Sequence, residues 1–89
     1  MWTWDSGKAA ANLQKHAVTF DLAERALGDP LAISVPDPHP DEERWRTIGS
    51  PDIGGRIVLY VVHTDDGHSG RIISARRATA RERRDYEER

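Results

Sequence analysis

Apolar side chains recur with a helical period in the first third of the chain. Residues 2–4 alternate like a short strand, and Asp5 or Ser6 can cap a helix that runs through Lys15. That helix carries an apolar stripe of Ala10, Leu13 and Ala17 and a separate polar stripe of Lys8, Asn12 and Lys15. A second helix is predicted over 20–27, because Phe20, Ala23 and Leu27 share a face and 28–30 supplies a stop.

Alternation with a period of two then predicts strands. Leu31, Ile33 and Val35 alternate with small residues until the proline-rich segment 36–41, which is expected to break all regular structure. Segments 43–49, 56–63 and 71–75 predict three successive antiparallel strands. A last helix begins at a capping box of Thr79 and Glu82. The order β-α-α-β-β-β-β-α predicts one small α+β domain over 1–89, with helices packed on a mostly antiparallel sheet.

Charge is distributed unevenly along this framework. Residues 1–70 carry six Lys/Arg against eleven Asp/Glu, a net −5, whereas residues 71–89 carry seven Arg against four Asp/Glu, a net +3. The cationic terminal segment makes a polyanion a candidate ligand, although the whole chain has a net charge of −2.

Composition also limits the class of protein. The sequence has no cysteine, which excludes a disulfide framework, a thiolate metal site and a cysteine nucleophile. The first residues lack the basic region and apolar run of a signal peptide, and the longest purely apolar run is 57–62. We therefore expect a soluble cytoplasmic protein that does not enter a membrane.

Arg76 is the leading candidate for phosphate contact. If Ile73 and Ala75 point into the core, Arg76 lies on the open face of its strand, together with Ile72 and Ser74. There a phosphate would also meet the exposed amides of the last helix. A guanidinium can neutralise the charge that develops on the non-bridging oxygens during 2′-hydroxyl attack on an RNA phosphate, without a metal.

Three further residues have both a chemical and a structural interpretation. His16 could exchange a proton near neutral pH, or satisfy the last carbonyls of the first helix. Arg44 lies on the open face if Trp45 and Thr47 share the other face, or it forms an ordinary surface salt bridge. Tyr86 could stack on a base or donate a proton, although a buried aromatic that anchors the last helix to the sheet is the more frequent arrangement.

A metal site is not expected. One hairpin contains His63, Asp65, Asp66 and His68, but their spacing is not that of a tetrahedral site, and no second cluster supports it. His39 is expected to contact solvent in the proline-rich loop. No cofactor is predicted.

Two blocks of the sequence resemble the BrnT toxin family. The first, WD-x-x-K-x-x-x-N-x-x-KH, ends at His16, and the second, RIISAR-x-AT-x-x-E-R-x-x-Y, ends at Tyr86. Glu43-Arg44 and Ile48-Gly49 lie between them, so the resemblance covers nearly the whole chain. One departure is Ala17, where the family pattern has glycine. If this position takes a positive φ at a helix C-cap, alanine is strained there.

The resemblance implies a RelE-like ribonuclease fold and RNA cleavage that arrests growth. It also implies neutralisation by a BrnA antitoxin with a ribbon-helix-helix DNA-binding domain, a 2:2 heterotetramer, and repression of their own operon through operator DNA. On the leading hypothesis, Arg76 and Arg44 stabilise phosphate charge and Lys15 and His16 assist proton transfer. The expected substrate-binding residues are Lys8, Arg77 and Tyr86. The alternatives are a non-catalytic nucleic-acid-binding module and a protein that mainly docks a partner.

Overall fold

In a computed structural model that describes residues 1–65 and 69–89, three helices and a five-stranded sheet form in the predicted order. The elements are β1 (Trp2–Thr3), α1 (Ser6–His16), α2 (Phe20–Leu27), β2 (Ile33–Asp37), β3 (Arg44–Gly49), β4 (Leu59–Thr64), β5 (Gly70–Arg77) and α3 (Ala80–Glu87). The strand order is β1-β5-β4-β3-β2, and only the β1–β5 pair is parallel. The predicted α+β class with a mostly antiparallel sheet is therefore confirmed.

Helix α2 supplies the largest apolar part of the core. The hydroxyl of Thr19 accepts a hydrogen bond from the amide of Leu22 at 3.1 Å and starts the helix. The buried residues of α2 are Phe20, Ala23, Ala26 and Leu27, which pack with Leu59, Val61, Ile72 and Ala75 of the sheet. Gly49 allows this close approach, because a Cβ at that position would lie 2.5 Å from the carbonyl oxygen of Ala26.

Helix α1 packs through Ala9, Asn12 and His16 rather than through its apolar stripe. Ala10, Leu13 and Ala17 are exposed, whereas Asn12 is only 7% exposed. The Asn12 side chain donates to the carbonyl of Ala75 at 2.8 Å and accepts from the amide of Ala75 at 3.0 Å. It thereby makes the two hydrogen bonds that a further strand would make at the edge of β5, which is why an amide side chain is buried there.

The boundaries of β2, β3 and β4 differ from the prediction. The expected break at residue 36 is wrong for Pro36 and Asp37, which pair with Trp45 and Arg44 as the last residues of β2. Because β2 is an edge strand, a proline there removes no hydrogen bond that the sheet needs. β3 begins at residue 44 and β4 at residue 59, later than the predicted positions 43 and 56.

A β-bulge changes which side chains of β5 are buried. Val62 pairs with Ser74, but the next residue of β4, His63, pairs with Ile72, so Ile73 is an extra residue on β5. The expectation that Ile72 lies on the open face is therefore wrong: Ile72 is 0% exposed and belongs to the core. Ser74 pairs opposite Val62 and is partly exposed, so beyond the bulge the simple alternation of faces holds.

Helix α3 begins at the predicted capping box and is tied down at several points. The amide of Glu82 donates to the hydroxyl of Thr79, and the amide of Thr79 donates to the Glu82 carboxylate at 2.9 Å. Arg83 donates to the carbonyls of Arg56 at 2.9 Å and Gly55 at 3.0 Å. No helix in the described ranges is long and apolar enough to cross a membrane.

Candidate active site

The sheet face opposite the α1 and α2 core carries the candidate site. Four residues lie side by side across this face, one on each of β2, β3, β4 and β5: Ile33, Ile48, Tyr60 and Arg76. The next row on the same face consists of Val35, Arg46, Val62 and Ser74. Helix α3 contacts β3 and borders this surface, which we call the open face.

Arg76 is held in place by two neighbours. Its Nη1 and Nη2 atoms donate to the two carboxylate oxygens of Glu82 at 2.8 and 3.0 Å. Its guanidinium carbon lies 4.0 Å from the centroid of the Tyr60 ring, a cation–π geometry. The hydrogen bonds between them raise the pKa of Arg76 and lower the pKa of Glu82. Both groups are therefore ionised at neutral pH, and the guanidinium has a fixed orientation.

This pairing leaves one edge of the Arg76 guanidinium open. A guanidinium has five N–H donors; Glu82 takes one from each Nη atom, and the carbonyl of Arg77 takes a second from Nη1 at 3.1 Å. The Nε donor and the remaining Nη2 donor point the same way, and no acceptor in the described parts of the chain takes them. The Arg76 side chain is 35% exposed. It can therefore chelate a phosphate without releasing Glu82.

Arg44 lies on the same face but far from Arg76. Arg44 pairs with Thr64 of β4, and Arg76 pairs with Tyr60, so the two positions are four residues apart along the strand, or about 13 Å. The Nε atom of Arg44 donates to Glu42 at 2.9 Å, and this hydrogen bond and those from Arg71 lower the pKa of Glu42. Arg44 thus forms the surface salt bridge that was its alternative interpretation.

The cationic residues of α1 lie at the edge of β5, beside the core. Lys8 and Lys15 are exposed, and His16 is half-buried in the last turn. Because Asn12 contacts Ala75, His16 lies one turn beyond that contact, about 6 Å further along the helix. No hydrogen bond or ion pair within the described ranges joins these residues to Arg76.

Arg77 and Tyr86 are also separated from the open edge of Arg76. Arg77 pairs with the buried Leu59, so it belongs to the sheet face opposite Arg76, where its side chain is exposed. Tyr86 is 6% exposed and donates its hydroxyl hydrogen to Asp29. Burial and this hydrogen bond raise the pKa of Tyr86. The residue has the contacts of an anchor for α3.

Sequence reasoning missed Tyr60, Glu82 and Arg46 as parts of this site. The alternation of Tyr60 and Val62 in β4 placed Tyr60 on the face that carries Arg76, and Arg46 follows Arg44 by one strand period. The pairing of Glu82 with Arg76 had no comparable signal, since Glu82 was assigned only to the capping box. It fills both roles in the structure.

Among the residues that the structure describes, no group of His, Cys, Asp or Glu side chains could hold a metal ion. In the hairpin considered from the sequence, Asp66 and His68 lie outside the described residues. His63 is buried in the core layer, with its Nε2 atom 2.6 Å from the hydroxyl of Thr47 and its ring 5.0 Å from the ring of Trp2.

The structure is thus a small α+β domain that presents an ionised guanidinium, oriented by Glu82 and Tyr60, on an open sheet face. The chain belongs to the BrnT family: residues 4–82 match the model of the ribonuclease toxin BrnT of type II toxin-antitoxin systems. This match confirms the resemblance read from the two sequence blocks, and a type II system implies an antitoxin partner. A search of curated proteins gives no match.

Proposed function

We propose that this protein is a metal-independent endoribonuclease that acts in the cytoplasm, cuts RNA and arrests growth, with Arg76 as its central catalytic residue. The observation that supports this proposal is the free Nε–Nη2 edge of Arg76, which two other contacts orient. In cleavage through the 2′-hydroxyl, negative charge develops on the non-bridging oxygens of the phosphate. A bidentate guanidinium binds those oxygens most strongly when the charge is largest.

Glu82 and Tyr60 act through Arg76 in this proposal. Glu82 fixes the plane of the guanidinium, and Tyr60 supports one face of it. Glu82 is a weak candidate for general base, because its pairing with Arg76 lowers its pKa and so its basicity. We assign proton transfer to His16 with Lys15, and contacts with the RNA backbone to Lys8, Arg44 and Arg77. Tyr86 contributes by holding α3.

The test is cleavage of purified RNA in EDTA by the wild-type protein and by Arg76→Lys. Lysine keeps the positive charge but lacks the two-donor edge, so the proposal predicts a loss of about 100-fold or more in cleavage rate. Arg84→Lys is the matched control, because Arg84 is an exposed arginine on the side of α3 opposite Glu82 and Tyr86. Equal activity of Arg76→Lys and wild type refutes the role of Arg76. RNA binding without any cut product refutes the nuclease itself.

The proposed partner is a BrnA-type antitoxin with a ribbon-helix-helix DNA-binding domain, in a 2:2 heterotetramer that represses its own operon. The family supports an antitoxin of some kind. Mass measurement of the co-purified complex by light scattering tests the stoichiometry, and a mobility-shift assay with operator DNA tests the repression. A complex of any other composition, or one that does not bind the operator, contradicts this part of the proposal.

A further inference from the structure

A groove on the open face reaches Tyr60 and Glu82, the two residues that hold Arg76. Its volume is about 270 Å³, and its apolar walls are formed by Ile33, Val35, Ile48 and the ring of Tyr60. Tyr60 and Glu82 line the groove and also hold Arg76, so the groove and the phosphate-binding edge share two residues. Whatever fills the groove therefore contacts the two residues that position Arg76.

Among the described residues, two charged side chains at the groove have hydrogen-bond donors or acceptors that are not occupied. Within the described residues Arg46 has only a loose ion pair, with its Nη1 atom 4.0 Å from Asp37. Asp85 is exposed, and no donor in the described parts of the chain occupies its carboxylate. The third charged residue, Glu82, is already engaged by Arg76 and by the amide of Thr79. The groove thus offers one free guanidinium and one free carboxylate above an apolar floor.

We propose that this groove is a base pocket selective for guanine, and that it receives the nucleotide beside the phosphate held by Arg76. This inference rests on the proposed nuclease function and adds its base specificity. Apolar and aromatic walls suit the faces of an unstacked base, and polar groups at the rim read its edges. The volume suits a single base rather than a larger ligand.

Asp85 and Arg46 together select among the four bases. Guanine offers two adjacent donors, N1–H and N2–H, to a carboxylate such as Asp85. It also offers the O6 and N7 acceptors to a guanidinium such as Arg46. Adenine and cytosine place an acceptor nitrogen beside their exocyclic amine, which a carboxylate repels, and uracil has only one ring donor between two carbonyl oxygens. Guanine is therefore the base whose edges satisfy both Asp85 and Arg46.

The experiment measures single-turnover cleavage of short RNAs that differ in one base, with the cut ends mapped. We expect wild-type protein to cut beside guanine about tenfold or more faster than beside the other bases. Replacing guanine by inosine, which lacks the N2 amine, should lower the cleavage rate of the wild-type protein about fivefold. The same replacement should not lower the cleavage rate of Asp85→Asn. Replacement of guanine by 7-deazaguanine makes the same test of Arg46, with Arg46→Gln as the variant. Glu88→Gln is the matched control for Asp85→Asn, because it makes the same change of charge on an exposed residue of the terminal helix segment.

A second measurement separates this inference from the nuclease proposal. Binding of the four nucleoside 3′-monophosphates to purified protein is followed by NMR shifts of the groove residues. Guanosine 3′-monophosphate should bind tightest, and Asp85→Asn should remove its advantage. Such selectivity without cleavage supports the pocket and refutes the nuclease. Cleavage with no guanine preference, or with a preference that Asp85→Asn leaves intact, overturns the pocket, as does equal binding of all four nucleotides.

Discussion

Asn12 should be a major determinant of stability, although it is a polar residue on a short helix. Its side chain makes three buried hydrogen bonds: to the carbonyl of Val18 at 3.0 Å, to the carbonyl of Ala75 at 2.8 Å and from the amide of Ala75 at 3.0 Å. The Asn12→Ala substitution removes all three and leaves the backbone groups without a replacement partner. Water cannot reach them freely, since Val18 is 5% and Ala75 1% exposed.

The expected cost follows from the groups left unpaired. A buried donor or acceptor without a partner costs about 1–3 kcal/mol, and a carbonyl with a second lone pair lies at the low end of that range. Counting the Ala75 amide at about 2 and each carbonyl at about 1 kcal/mol gives a loss of roughly 4 kcal/mol in the free energy of unfolding. A small domain has only about 5–15 kcal/mol in total. The melting temperature should therefore fall by about 15–30 °C.

Urea denaturation followed by circular dichroism measures the loss, with Gln14→Ala as the control on the same helix. Gln14 is exposed, so its substitution should change stability by about 0.5 kcal/mol or less. Hydrogen exchange supplies a local readout, because the Ala75 amide should lose protection earlier than the other amides of β5. A loss of under about 1 kcal/mol in Asn12→Ala, or a fully protected Ala75 amide, would refute the reasoning.

Two further predictions concern a helix end and the anchor of α3. Ala17 has φ 58° and ψ 31°, a left-handed conformation that costs alanine about 1–2 kcal/mol. Glycine relieves this strain but costs entropy, so Ala17→Gly should raise the free energy of unfolding by about 0.5–1 kcal/mol in urea denaturation. An unchanged or lower free energy of unfolding contradicts this prediction. Burial raises the pKa of Asp29, but hydrogen bonds from Tyr86 and two backbone amides outweigh this effect, so the pKa lies below its ordinary value. A carboxyl group with a depressed pKa stabilises the fold above its unfolded-state pKa, and this stabilisation is lost as the pH falls. Tyr86→Phe should therefore lower the free energy of unfolding by about 1–2 kcal/mol at pH 7 and by less at pH 3. An equal loss at both pH values would contradict the Asp29 pairing.

Local signals explain what the sequence could predict. The spacing of Phe20, Ala23 and Leu27 and the turn residues after them act within one helix, and the predicted bounds 20–27 are the observed ones. The capping box of Thr79 and Glu82 is equally local and is present. The left-handed conformation of Ala17 agrees with the glycine that the family pattern has at this helix C-cap.

Long-range geometry explains what the sequence could not predict. Asn12 is buried because the edge of β5, which lies 63 residues further along the chain, needs hydrogen-bond partners. Ile72 enters the core because a bulge shifts the register of β5 against β4, and no turn signal marks it. For Arg76, strand alternation predicted its exposure, but its contacts with Tyr60 and Glu82 depend on how three separate elements meet.

Helix α3 joins the stability of the fold to the geometry of the site. It has little apolar surface, and in the described structure it is fixed mainly by the Tyr86–Asp29 hydrogen bond and by Arg83 on two loop carbonyls. The same helix supplies Glu82, which orients Arg76, and Asp85, which lines the groove. A loss of either anchor should therefore disturb the orientation of Arg76 before the α1–α2 core unfolds, because that core contains no residue of α3. In this fold the helix that completes the proposed site is the one whose buried residue is Tyr86 alone, so the site depends on that anchor.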